Sequence, residues 1–113
     1  MKIDIASSAA QLAKAMIASL RSDSGKVKAL AIAEGESLAH AFARIAGMAA
    51  QGQISREEAA VLIQIQRDAS EAVLASLAEV SRVAAHRAVG LGIKDIIGQI
   101  ERMIGGRLLG ELL

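Results

Sequence analysis

Nothing in this chain obliges a helix to stop: proline, threonine and asparagine are absent throughout its 113 residues, as are cysteine, tryptophan and tyrosine. Proline removes a backbone donor and kinks helices, aromatic and β-branched residues favour strands, and asparagine and proline favour turns. Alanine, the strongest helix former, occurs 24 times. The predicted fold class is therefore all-α, as an elongated helical hairpin or bundle of three to four helices that oligomerises. An alanine methyl buries little area, so Leu, Ile, Val and Met must supply the core around Phe42, the sole aromatic residue.

Apolar periodicity divides one domain, 1–113, into helices at about 4–22, 25–51, 55–89 and 93–109. Ile5, Ala9, Leu12, Met16 and Leu20 recur at three and four and mark the first helical face. Ser22-Asp23-Ser24-Gly25 then brings capping residues and a flexible position together, which predicts a turn. Val27, Ala31, Gly35, Leu38, Phe42, Ile45 and Ala49 form the second face, ending near Gly52. At the next start, Ser55 followed three residues later by Glu58 predicts a capping box. A connection this short makes helices two and three an antiparallel hairpin, with an expected core of Leu38, Phe42, Ile45, Leu62, Ile65, Val73, Leu77 and Val80.

The third pattern runs without interruption from Ser55 to about Val89. As one helix it would be a rod of about 52 Å, whereas a compact domain of this length has a radius of gyration near 13 Å. Its apolar stripe is too wide for a single neighbour. Gly90-Leu91-Gly92 places two weak helix formers close together and predicts a hinge. Beyond it, Ile93, Ile96, Ile97, Ile100, Met103, Ile104 and Leu108 line one face, expected to meet a partner copy, the chain's own bundle or lipid.

The formal charge is +1 with acids and bases interspersed. No basic field exists to hold a phosphate backbone, so nucleic acid is not expected as a partner. Asp4 stands where a secretory signal would carry positive charge, and no apolar run approaches the roughly 18 residues of a membrane span.

Glu36, His40 and Arg44 fall four residues apart, as charged surface does; the three-residue Glu-x-x-His spacing of di-iron bundles is missing. Glu79, Arg82 and His86 repeat the situation. Serines fit helix caps better than a triad, so no catalytic residue, metal or cofactor is expected. The expected function is a non-enzymatic structural or assembly protein that forms a homo-oligomer through amphipathic helices, as in a tube, filament, virion or secretion assembly. The alternatives are an amphipathic-helix protein of lipid surfaces and a helical adaptor that binds a partner protein.

Overall fold

Short polar side chains decide where each helix begins. Asp4 Oδ1 accepts from the Ser7 backbone N–H at 3.1 Å, Ser24 Oγ from Val27 at 3.4 Å, Ser55 Oγ from Glu58 at 3.0 Å and Ser81 Oγ from Ala84 at 3.0 Å. Each satisfies an N–H that has no partner within its helix. In the computed structural model, which describes residues 3–105, these caps open α1 (Ile5–Leu20), α2 (Gly25–Ala50), α3 (Arg56–Ala75) and α4 (Arg82–Ile104). Leu108, the Gly106–Gly110 segment and the last residues of the expected fourth helix lie outside the described residues.

The capping box is complete. The Ser55 N–H donates to Glu58 Oε1 at 2.8 Å while the Ser55 hydroxyl accepts from the Glu58 N–H. The hydrogen bond from the Ser55 backbone, and then that from its side chain, hold the Glu58 carboxyl below its usual value of 4.5. A depressed folded-state pKa contributes stability that is present above the unfolded value and lost as pH falls through the folded one. The melting temperature is therefore expected to fall as pH drops below about 4.5. Glu58→Gln, which keeps an acceptor but does not titrate, is expected to flatten part of that slope. An identical slope in both proteins would show that the box is not coupled to folding.

Short connections fold the helices up and down. α2 and α4 occupy the middle and touch each other, with α1 and α3 on opposite sides of them, each packed on both. The radius of gyration is 13.6 Å and the longest axis 42 Å, so the four-helix bundle is compact. Expected elongation rested on a continuous rod from Ser55 to Val89, and that rod is broken. α3 ends at Ala75, and residues 76–81 form a turn stapled by Ser76 Oγ donating to the Val73 carbonyl at 2.6 Å and by the Val80 N–H donating to the Leu77 carbonyl at 3.0 Å. Ser81 then caps α4. Such serine contacts compete with helical hydrogen bonds, and Val80, 5 % exposed, anchors the turn to the core.

The expected hinge at Gly90-Leu91-Gly92 is instead uninterrupted helix within α4. Its glycines are packing notches. A Cβ on Gly92 would lie 3.1 Å from Met16 Cγ and 3.4 Å from the Leu12 carbonyl oxygen, so the missing side chain is what lets α4 approach α1. Residues 93–104 accordingly continue the packed helix. Ile93, Ile96, Ile97 and Ile100 are buried in the core, and Met103 and Ile104 pack partly buried against it.

Of the expected hairpin core, Leu38, Phe42, Ile45 and Val80 are buried, and Leu62 and Leu77 are half-buried against the same cluster. Ile65 and Val73 are exposed, a correction to the sequence reading. α3 turns Ala59, Ala60, Ile63, Ser70 and Leu74 inward instead. Glu58, Leu62, Ile65 and Ala69 share one helical face by their spacing. Turning that face inward would also bury the carboxylate of the capping box, at a large desolvation cost.

Candidate interaction surfaces

With the inner face of α3 spent on the core, its outer face is left bare. Val61 is 59 %, Ile65 54 % and Val73 38 % exposed, and Ala69 and Ala72 are exposed on the same side. Spacings of three and four join them into a ridge opposite Ile63 and Ser70. Exposed Glu57, Glu58 and Asp68 flank it.

Two polar ties keep α3 in this rotation. Ser70 Oγ, itself buried, donates to Glu34 Oε1 on α2 at 2.9 Å. On the other side Glu71 accepts from Arg67 Nε at 3.0 Å and from His86 Nδ1, on α4, at 2.6 Å. With the proton on Nδ1, His86 Nε2 faces an Arg67 guanidinium nitrogen at 3.5 Å as an acceptor. The Arg67 and Glu71 side chains are 12 % and 17 % exposed, so this pair is better shielded than an ordinary surface pair. Spacing within α3 shows the Arg67–Glu71 pair in the sequence; its extension to His86 needs the fold.

A second apolar surface lies between α1 and α2. There an open groove of about 1080 Å³ is lined by alanines of α1, among them the buried Ala9 and Ala13, by Ile5, Ile17 and Ile32, and by the polar Lys14, Glu36 and His40. Ile32 is 50 % exposed. A smaller groove of about 430 Å³ between α3 and α4 contains Leu91 among Arg67, His86, Arg87 and Lys94.

The polar groups singled out in the sequence separate in space. Glu36, His40 and Arg44 are exposed on α2. Glu79 is not helical: it sits in the α3–α4 turn, where its Oε2 accepts from the Ser24 hydroxyl at 3.0 Å. Its own backbone N–H, and then that hydroxyl, lower its pKa. Among the described residues no group of three or more His, Cys, Asp or Glu converges where a metal ion could be held. Nor is any described helix long and apolar enough to cross a membrane.

No family model, curated protein or solved structure matches the chain. The bare ridge and the apolar groove are thus the features on which a functional reading rests.

Proposed function

We propose that this chain is a non-catalytic assembly protein that forms homo-oligomers through the outer face of α3. The observation that carries the proposal is the ridge of Val61, Ile65 and Val73, left in solvent by a helix whose opposite face is already packed. Fully burying one such side chain contributes about 1.5–3 kcal/mol, and these three are 38–59 % exposed, so removing the ridge from water favours association. The lipid alternative rested on an exposed C-terminal apolar face, and Ile93, Ile96, Ile97 and Ile100 are turned inward. The acids along the α3 ridge would also be repelled by an anionic bilayer.

Sedimentation across the micromolar range tests the proposal. The native chain is expected to gain mass with concentration, and Ile65→Glu to raise the dissociation constant about tenfold or more. Glutamate keeps helix propensity at that exposed position, so folding should persist. A native chain that stays monomeric at every concentration would refute self-association.

A further inference from the structure

The ridge of α3 stands beside a groove of opposite charge. Between α3 and α4, the smaller groove of about 430 Å³ is lined by Gly90, Leu91 and Ile93, with Arg67, Arg87 and Lys94 around them and no acid among its lining residues. Arg67 is paired with Glu71. Arg87 and Lys94 are exposed and make no hydrogen bond or ion pair among the described residues. The groove is therefore cationic in its own lining, whereas the larger groove between α1 and α2 sets Lys14 against Glu36 and favours neither sign. Exposed Glu57, Glu58 and Asp68 give the ridge the complementary charge.

Both surfaces belong to one side of the molecule. α3 walls the groove with Arg67, and the next residue, Asp68, lines with Ala72 a shallow depression that reaches Arg82 on α4. A copy that offers its ridge thus presents its groove in nearly the same direction. A two-fold axis can satisfy both at once.

We infer that two copies pair about a two-fold axis, each laying the acid-bordered ridge of its α3 into the cationic α3/α4 groove of the other. The inference rests on the self-association proposed above and specifies its geometry. Two α3 helices related by an axis across them run antiparallel. Within one copy α3 and α4 are also antiparallel, so α3 of one copy runs parallel to α4 of the other. Glu57 to Asp68 rises about 16 Å along α3 and Arg87 to Lys94 about 10 Å along α4, a difference that long Arg and Lys side chains cover. Asp68 then comes to the Lys94 end and Glu57 to the Arg87 end. Between these ends Ile65 and Leu91, 54 % and 45 % exposed in the single chain, cover each other. Two ridges opposed directly would instead set acids against acids, which is unfavourable. A contact of this kind closes at two chains.

Opposite charge reversals on the two surfaces test the inference. Asp68→Lys alters the border of the ridge and Lys94→Glu the groove; both positions are exposed and helical, and circular dichroism melts check that each variant is folded. The native chain is expected to stop at two chains in sedimentation. Each variant alone places like charges in both contacts of its dimer, so its dissociation constant is expected to rise about tenfold at low salt. Mixed in equal amounts, the two variants are expected to recover native affinity as a heterodimer, because one contact is then native and the other has both charges exchanged. The gain on mixing should shrink as salt rises.

If mixing restores nothing, these groups do not face each other and the inference is wrong. Growth of the native chain beyond two copies overturns the two-fold pairing. If Ile65→Glu dissociates the native assembly while both charge reversals leave it unchanged, the groove is not used and only the self-association through α3 stands. A monomeric native chain overturns both.

Discussion

Ile100→Asp is expected to unfold the protein, not merely to detach it from a partner. Ile100 is fully buried among the helices, in the row that includes Ile93, Ile96 and Ile97. Truncating such a side chain costs about 2–5 kcal/mol in lost burial and cavity, and an unpaired carboxylate in its place adds several more. A small domain has only about 5–15 kcal/mol in total. The expected result is loss of the cooperative helical melt at neutral pH, followed by far-ultraviolet circular dichroism. Ile100→Val, at about 0.5–1.5 kcal/mol, should melt normally at a slightly lower temperature. If the aspartate variant melts within about 5 °C of the native chain, α4 is not the core element described above.

The same chemical change at two glycines of α2 is expected to act in opposite directions. A Cβ on Gly35 would stand 2.9 Å from the Ala9 carbonyl oxygen, 3.2 Å from the Ala13 nitrogen and 3.3 Å from the Ala13 Cβ. Two of these atoms are backbone, so α1 itself must move away. Overpacking costs about 1–3 kcal/mol, which outweighs the gain of about 1 kcal/mol in helix propensity. Gly35→Ala should therefore lower the melting temperature by several degrees. Around Gly47 a Cβ meets nothing within 4 Å, so Gly47→Ala should stabilise the fold by about 0.5–1 kcal/mol. Shifts of the same sign at both sites would mean that α1 and α2 are not in the close contact that Gly35 permits.

The helical class, the first two helices and the Ser55 capping box were legible because they depend on neighbours within a few residues. The break at 76–81 was not. It contains no glycine or proline, and its serine contacts resemble those available in any helix until Val80 finds a core to enter. Missing that break also misplaced the face of α3. A stripe drawn through Ile65, Val73, Leu77 and Val80 assumes one helical phase across residues that belong to two helices. Once the chain turns at Ser76, the rotation of α3 is free, and Glu58, Ser70 and Glu34 select it.

For the candidate surfaces the outcome was divided. Surplus apolar area on the third helical pattern was visible in its wide stripe, but the stripe put Ile65 and Val73 inside, and they are outside. Ile93 to Ile100, a face the sequence left open to a partner copy, the chain's own bundle or lipid, is buried in the chain's own bundle. The groove between α1 and α2 had no counterpart in the sequence. It exists because two alanine-rich helices, drawn together at Gly35, leave a shallow trough beside their contact.

By itself the sequence determined that the chain is helical and where most of its helices start, because propensity and capping act over one or two turns. Only the tertiary structure decided which apolar face is core and which is surface. Every helix here carries more apolar residues than one neighbour can cover, and the choice between faces depends on where the other helices lie.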